Sequence, residues 1–225
     1  MVDCDPQASL TESLGIHEPD SLKFTLSTVM ENILNEQEFD ALEGIIRHEE
    51  GVYLLPANID LSGAEVALVG IMSSETILQE YLEMIRADYD FIVLDCPPNL
   101  GQLTLNALVS ADYVIIPVQA AFLSAKGLEQ LLRTIIKVKK RINHNLNIMG
   151  ILITMVDWRT NNAKEIIDIL KETYEEQIHF FKSIIPISVK AAEVSAAGIS
   201  IYKYEKKSKV AKAYEQLVEE VLHYD

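Results

Sequence analysis

Carboxylates stand directly after two apolar segments of strand length, where chemistry on metal-bound water is feasible. Asp95 ends the apolar run 91–94, and Asp3 and Asp5 flank Cys4 at the end of the first run. A carboxylate at a strand end can hold the water shell of Mg²⁺, because this hard cation prefers oxygen ligands and keeps several waters. Residues two apart on a strand point to the same side. We therefore expect Asp3 and Asp5 to lie near a metal, one supporting its water shell and the other positioning an attacking water.

A simpler structural interpretation exists for each of these carboxylates. Asp95 is also suited to cap the helix that begins near Gln102, and Asp5-Pro6 is a common turn signal. Pro97-Pro98 followed by Gly101 makes a fixed turn with a flexible exit, which suits a segment that senses a terminal phosphate. The residues by themselves leave both interpretations open.

The elements that position these residues alternate between strand-like and helix-like segments. The strand candidates are continuous apolar runs without polar alternation, as burial on both faces of a parallel sheet requires. They are Met1–Cys4, Val52–Pro56, Phe91–Leu94, Tyr113–Pro117, Ile148–Thr154 and Phe181–Ile185. Helical periodicity covers Glu75–Ala87, Leu103–Ser110, Ala125–Ile142, Asn161–Tyr174 and Ser208–Leu222. This order predicts an α/β fold with a mostly parallel central sheet flanked by helices on both faces, and residues 1–225 are expected to form a single domain.

Polar residues also follow two later strand candidates. Gln119 comes shortly after Ile116, and Thr154 and Asp157 come after Ile153. In open parallel sheets, ligands bind beyond the carboxyl ends of the strands. Four strand ends are therefore expected to bring carboxylates, amides and hydroxyls to one rim of the sheet.

The charge is unevenly distributed along the chain. The formal net charge of -15 argues against a protein that covers nucleic acid or anionic membrane with its whole surface. Residues 1–60 carry 13 acidic and 2 basic side chains, whereas residues 126–141 carry 6 basic and 1 acidic, and residues 182–212 carry 7 lysines and 2 glutamates. No run approaches the ~20 apolar residues of a membrane span, and the acidic opening lacks the features of a secretory signal. We expect a cytoplasmic protein with two local basic regions.

The motifs resemble those of the ParA-type (Soj-like) chromosome and plasmid partition ATPases, which belong to the P-loop group and have a deviant Walker A motif. The resemblance covers essentially the whole chain and rests on five segments in the order that the family has them. These segments are VDCDPQAS at 2–9, DFIVLDCPPNLGQLTLNAL at 90–108, VIIPVQ at 114–119, GILITMVDWRT at 150–160 and IIPISVKAAE at 184–193. Each segment is weak evidence alone, but five at compatible spacing make a strong signal.

The resemblance implies roles for individual residues. Asp5 is similar to the family's first-switch aspartate, which positions the hydrolytic water, and Asp95 is similar to the Walker B aspartate, which acts on Mg²⁺ through water. The second switch would contain Pro98, Asn99 and Gly101. The adenine pocket would be walled by Thr154, Asp157 and the backbone around Pro186. The family's cofactors are ATP and Mg²⁺, and ATP drives formation of a homodimer that binds DNA nonspecifically until a centromere-binding ParB-type partner stimulates hydrolysis.

The chain departs from the family in one respect. The family's phosphate loop, a Lys-Gly-Gly-Val-Gly-Lys-Thr-Thr type of run, precedes the Asp-x-Asp-Pro-Gln segment by about one helix and one strand, but here no Gly-Lys dipeptide occurs anywhere. Phosphoryl transfer depends on positioning and charge neutralisation, so a chain without this loop and its βα unit is not expected to be a competent ATPase. We expect Met1 to mark a late start within a longer parent protein. A nucleotide-independent regulatory or binding fragment is the alternative.

The second basic region suggests contact with DNA phosphates, because related proteins carry DNA-contacting basic residues at some of these places. The candidate residues are Lys182, Lys190, Lys203, Lys206, Lys207 and Lys209. A solvated helix face is the alternative, and the basic residues 137–141 are simply explained as favourable charge at a helix C-terminus. A membrane-cycling MinD-like ATPase would need a basic amphipathic C-terminal helix, yet residues 213–225 contain no lysine or arginine, so we expect no membrane partner.

Overall fold

The computed structural model describes residues 1–121 and 124–224, which divide into two compact units. The N-terminal unit comprises Met1–Ala111 and Ser195–Ile199, and the C-terminal unit comprises Asp112–Val194 and Ser200–Asp225. Each unit has its own strands and helices. The expectation of a single domain over residues 1–225 stays a prediction.

Short β-ladders and surrounding helices build the N-terminal unit. Strand β1 (Val2–Asp3) pairs in parallel with β4 (Leu94–Asp95), and β2 (Ile46–Arg47) pairs antiparallel with β3 (Tyr53–Leu54). The helices of this unit are α1 (Ser9–Ser13), α2 (Leu26–Leu34), α3 (Asp60–Leu68), α4 (Ile77–Ile85) and α5 (Gln102–Ser110). Apolar residues at helical spacing turn one face of each longer helix inward, as in α4, where the buried positions are Ile77, Leu78, Tyr81, Leu82 and Ile85.

A parallel ladder of three strands organises the C-terminal unit. Its strands are β5 (Tyr113–Gln119), β6 (Asn147–Val156) and β7 (Phe180–Pro186), with β6 in the middle. The central part of β6 is buried, as expected of a continuous apolar run between two strands. The later helices of the chain are α6 (Ser124–Arg141), α7 (Asn161–Tyr174), α8 (Val189–Ala197), α9 (Ile201–Glu205) and α10 (Lys209–Leu222). Helix α10 packs on β6 and β7 through a core that includes Met149, Leu152, Phe181, Ile185, Val210 and Ala213.

The predicted α/β class and the parallel strand pairing are confirmed. The five predicted helices are present as α4, α5, α6, α7 and α10, within two residues at each end. The run 52–56 differs from a simple parallel strand, because Tyr53 and Leu54 form an antiparallel pair with β2 while Leu55 makes an isolated parallel bridge to Val2.

The expectation that the run 91–94, which leads into β4, is buried on both faces is wrong. Phe91 and Val93 are more than half exposed, whereas Ile92 and Leu94 pack against the core of the N-terminal unit. Successive side chains of a strand point to opposite faces, so one face of this run meets the core and the other meets solvent.

Glu220 joins α10 to β7 within the C-terminal unit. Its carboxylate accepts hydrogen bonds from the amides of Lys182 (2.7 Å) and Ser183 (2.8 Å) and from the Ser183 hydroxyl. Burial by itself would raise the pKa of Glu220, but these hydrogen bonds outweigh it and hold the pKa below its usual value. The ionised carboxylate therefore stabilises the fold.

Replacing this carboxylate is expected to destabilise the protein in a pH-dependent way. Glu220→Gln should lower the free energy of unfolding at pH 7 by about 1–3 kcal/mol, because a charged acceptor of three hydrogen bonds is lost. Since the folded pKa is depressed, the contribution of Glu220 is present above its usual pKa and is lost as the pH falls through the folded value. Urea denaturation at pH 7 and pH 4 should show the difference between wild type and variant shrinking on acidification. The neighbouring Glu219→Gln serves as the control, and an equal loss in both variants would contradict the assignment.

Candidate functional site

Three carboxylates lie at the carboxyl ends of β1 and β4 in the N-terminal unit. The register places Asp3 opposite Asp95, and the Cys4 amide donates to the Asp95 carbonyl at 2.8 Å. Asp5 follows two residues after Asp3, and its carboxylate accepts a hydrogen bond from the Gln7 amide at 2.9 Å. The two segments in which the sequence indicated metal and water chemistry are therefore adjacent in the structure.

The charges of Asp3 and Asp5 act on Asp95. Asp95 is exposed as a residue, but desolvation at its carboxyl group raises its pKa, and the negative charges of Asp3 and Asp5 raise it further. Within residues 1–121 and 124–224, no group of three or more His, Cys, Asp and Glu side chains is arranged to hold a metal ion. The donor set nevertheless fits Mg²⁺ bound through its waters, since the donors are hard oxygen atoms and a divalent cation would relieve the repulsion between them. The predicted roles of Asp95 in holding that water shell and of Asp5 in positioning the attacking water stay predictions.

Asp3 has a different environment from the other two carboxylates. It is 0% exposed and accepts hydrogen bonds from the Asp5 amide (3.1 Å), the Thr11 amide (2.9 Å) and the Thr11 hydroxyl (2.7 Å). The Thr11 hydroxyl in turn accepts from the Ala57 amide at 3.1 Å. Asp3 therefore fastens the end of β1 to α1 and to the segment after β3. Its predicted role near the metal stays a prediction.

The loop Pro97–Gly101, which we call the second-switch loop, connects β4 to α5. The Asn99 side chain accepts from the Gly101 amide (2.9 Å), and the Thr104 hydroxyl donates to the Asn99 carbonyl (2.7 Å). Glu65 of α3 reaches the start of α5, where the Leu103 amide donates to its carboxylate at 3.5 Å. A Cβ atom at Gly101 would meet the Glu65 carboxylate and Asn99 Oδ1, so a larger residue here would displace these two side chains.

Glu65 and Thr11 are site residues that the sequence pattern does not indicate. Both lie on helices, α3 and α1, that the periodicity does not predict. Neither residue belongs to a motif with a recognisable spacing. Their importance comes from contacts across the fold, with partners 38 and 8 positions away.

The residues predicted to wall an adenine pocket lie in the C-terminal unit. Thr154 is in β6, and the register pairs Val156 at the end of β6 with Pro186 at the end of β7. Asp157 forms a two-pronged ion pair with Arg159, at 2.8 Å to Nε and 2.7 Å to Nη2. The hydrogen bonds from the Arg159 side chain and amide lower the pKa of Asp157 to about 2. The common rim for all four strand ends and the pocket role of these three residues stay predictions.

Lysines predicted to contact DNA cluster at the start of α10. Lys206, Lys207 and Lys209 are exposed, and Ser208 caps the helix by accepting from the Ala211 amide at 3.1 Å. Free amides at a helix N-terminus attract phosphate groups, which adds to the attraction of the lysines. The other three candidates, Lys182, Lys190 and Lys203, are also exposed.

Lys190 is already paired with a carboxylate. Its ammonium group forms a salt bridge with Glu205, and Tyr204 donates a hydrogen bond to Glu193 nearby at 3.0 Å. The pKa of Lys190 is raised by this hydrogen bond with Glu205. A phosphate that binds Lys190 therefore competes with a carboxylate, so the lysines at the start of α10 are the stronger candidates.

The parallel α/β fold, with carboxylates at adjacent strand ends, is of the P-loop nucleotide triphosphatase type, as its structural neighbours show. A family model described as an AAA domain matches residues 1–148. The sporulation initiation inhibitor protein Soj of Bacillus subtilis is 37% identical over 223 residues, which cover 98% of this chain and 85% of that protein. The chromosome partitioning protein ParA of Myxococcus xanthus is 37% identical over 227 residues, covering 100% of this chain and 77% of that protein. The chain belongs to the Soj/ParA family of chromosome-partitioning ATPases.

Solved structures agree with this class. The crystal structure of cobyrinic acid a,c-diamide synthase from Mycobacterium smegmatis, with bound ATP analogue and magnesium, has a TM-score of 0.84 and 35% identity. The match covers 98% of this chain and 80% of that one. Among the helices that the structure describes, none combines the length and the apolar character needed to cross a bilayer.

Proposed function

We propose that this protein acts in plasmid or chromosome segregation as a ParA-type ATPase. The proposal is carried by the placement of Asp5 and Asp95 at the ends of two adjacent parallel strands, in a chain of the Soj/ParA family. ATP and Mg²⁺ drive formation of a homodimer that binds DNA nonspecifically, and a centromere-binding ParB-type partner stimulates hydrolysis and release. The protein works on the nucleoid in the cytoplasm.

In this proposal, the two carboxylates and the surrounding loops have separate roles in binding and hydrolysing ATP. Asp5 orients the attacking water, and Asp95 holds the waters of the cation. Mg²⁺, when bound, neutralises charge on the phosphate oxygens. The second-switch loop contacts the terminal phosphate, and its position is set by Glu65 and Thr104. The adenine pocket is walled by Thr154, Asp157 and the backbone around Pro186.

No Gly-Lys dipeptide occurs in the 225 residues, so the sequence does not contain the family's type of phosphate loop. Backbone amides and a lysine supply most of the affinity for phosphates in P-loop proteins. We therefore propose that these 225 residues by themselves do not hydrolyse ATP.

Phosphate release by the purified chain tests this point. With ATP and Mg²⁺, release is expected to equal that of Asp5→Ala, because neither protein can hold the triphosphate. Wild-type release that exceeds the variant's would show that the chain is an ATPase without a phosphate loop.

DNA retention by the native protein tests the partition role. The protein should sediment with plasmid DNA in the presence of ATP and Mg²⁺ and stay in the supernatant with ADP, and Asp95→Asn should abolish the retention. Retention that is equal with and without nucleotide would favour a nucleotide-independent DNA-binding protein instead.

A further inference from the structure

Four apolar side chains near the end of α3 are exposed to solvent. The exposed fractions are 73% for Val66, 67% for Val69, 44% for Ile71 and 92% for Met72. We call these four residues the apolar tip. Single exposed apolar residues are ordinary, but four within seven positions are typical of an interaction surface.

The apolar tip lies on an ordered segment. Leu68, within this segment, is fully buried, and its backbone carbonyl accepts a hydrogen bond from the Ile71 amide at 3.3 Å. On the far side, the buried Asn106 of α5 donates to the Ser74 carbonyl (2.9 Å) and accepts from the Leu78 amide (3.1 Å). A segment fixed at both ends loses little conformational entropy when a partner binds.

The same contacts link the apolar tip to the second-switch loop. Glu65, next to Val66, is bonded to the Leu103 amide in the first turn of α5, directly after the loop. Asn106, which holds the other end of the segment, is on α5 itself. A displacement of the apolar tip would therefore be transmitted to the start of α5 by two side chains.

The negative charge of the N-terminal unit favours a positively charged partner. The residues of this unit include 20 acidic and 3 basic side chains, and between positions 60 and 90 there are 7 acidic residues against Arg86 alone. Such a surface repels DNA and anionic lipid and attracts cationic groups.

We propose that the apolar tip is the docking site for a partner segment that combines lysine or arginine with apolar side chains, and that docking acts on the second-switch loop through Glu65 and Asn106. The apolar side chains of the partner cover the tip, and its cations meet the surrounding carboxylates. Only the role of the second-switch loop at a terminal phosphate rests on the proposed function, whereas docking and its effect on the position of the loop do not.

Binding of a defined peptide tests the docking. The probe is a fluorescein-labelled 14-residue amphipathic peptide of leucine and lysine, compared with a serine-lysine peptide and a leucine-glutamate peptide. Anisotropy titrations should show binding of the first at least tenfold tighter than that of the other two. Val69→Ser with Met72→Ser should weaken binding at least tenfold. The control is Leu42→Ser with Met84→Ser, which changes two side chains of the same unit that are 50% and 55% exposed, and it should change binding less than twofold.

Three outcomes would overturn the docking proposal. Equal weakening in both double variants would show that the peptide adheres to any exposed apolar residue. Equal binding of the serine-lysine peptide would show that charge alone is recognised. Concentration-dependent dimerisation of the chain, lost in the Val69→Ser, Met72→Ser variant, would assign the apolar tip to a second copy.

Amide hydrogen exchange tests the link to the second-switch loop. Saturating leucine-lysine peptide should change the exchange of amides 101–106 at least twofold. In Glu65→Gln the peptide should still bind, but at least half of this change should be lost. Peptide binding without any change at 101–106 would overturn the link. A failure of the proposed ATPase function would leave every one of these readouts unaffected, so the two failures are distinguishable.

Discussion

Reversing Lys206, Lys207 and Lys209 to glutamate is expected to weaken nonspecific DNA binding by about 100-fold or more at moderate salt. The three exposed lysines surround the capped start of α10, where helix amides also favour phosphate. Each reversal removes a phosphate contact and adds repulsion. Lysine contacts to phosphate release counterions, so the slope of log affinity against log salt concentration should fall by about 3.

Fluorescence anisotropy of the native protein with a random-sequence duplex, titrated at several salt concentrations with ATP and Mg²⁺ present, measures both quantities. The matched control reverses Lys137, Lys140 and Arg141 at the end of α6, which are equally exposed and produce the same change in net charge. The control variant should keep most of its affinity for DNA if DNA binds at the start of α10. Equal losses in the two variants would show that only the overall charge matters and would remove the start of α10 as a DNA site.

Much of the fold is predictable because burial leaves a direct pattern in the sequence. The central strand β6 is a continuous apolar run, and α7 and α10 have regular apolar stripes, so their bounds follow within one or two residues. The carboxylates of β1 and β4 are predictable for a related reason, since residues at the ends of neighbouring parallel strands must come together.

Helix α3 shows why other elements are not predictable. Its buried residues Leu61, Ala64 and Leu68 have helical spacing, but the exposed Val66 on the opposite side obscures the stripe and Gly63 weakens the helical pattern. Packing against α2 and α5, which is decided by distant parts of the chain, determines that this segment is helical.

In the site too, local sequence predicts where residues lie, whereas contacts with distant residues determine their environment. The sequence places Asp3, Asp5 and Asp95 at strand ends, but the different environments of the three depend on distant residues such as Thr11. Likewise, Asp157 is at the predicted strand exit, but its ion pair with Arg159 depends on the local turn geometry. Residue types and spacing indicate which side chains could take part in chemistry. The contacts in the folded protein determine which of these side chains are already engaged in hydrogen bonds or ion pairs.

Replacing Asp3 is expected to destabilise the N-terminal unit more than any other change to the carboxylate cluster. In Asp3→Ala, the buried amide and hydroxyl of Thr11 and the amide of Asp5 lose their acceptor. Each unsatisfied buried donor costs about 1–3 kcal/mol, so loss of the two Thr11 bonds alone should lower the free energy of unfolding by at least about 2 kcal/mol. Asp5→Ala is the control, since the Asp5 carboxylate accepts one local hydrogen bond from Gln7, and it should lose less than about 1 kcal/mol.

The pH dependence of Asp3→Asn separates the charge of Asp3 from its hydrogen bonds. Burial raises the pKa of Asp3 above its usual 3.8, although the Thr11 hydrogen bonds oppose this effect. Because the folded pKa is raised, the stabilisation from protonated Asp3 is greatest below the usual pKa and is lost as the pH rises through the folded value. The amide side chain of the variant stays neutral at every pH, so the cost of the substitution should shrink between pH 4 and pH 7, opposite to the trend for Glu220→Gln. Urea denaturation of the wild type and the variant at pH 4 and pH 7 measures this cost. The buffers contain EDTA, which keeps cations away from the carboxylates. A cost that grows towards pH 7 would mean that Asp3 is stabilised as a charged group, and the site would then resemble a prearranged anion cluster more than a buried structural anchor.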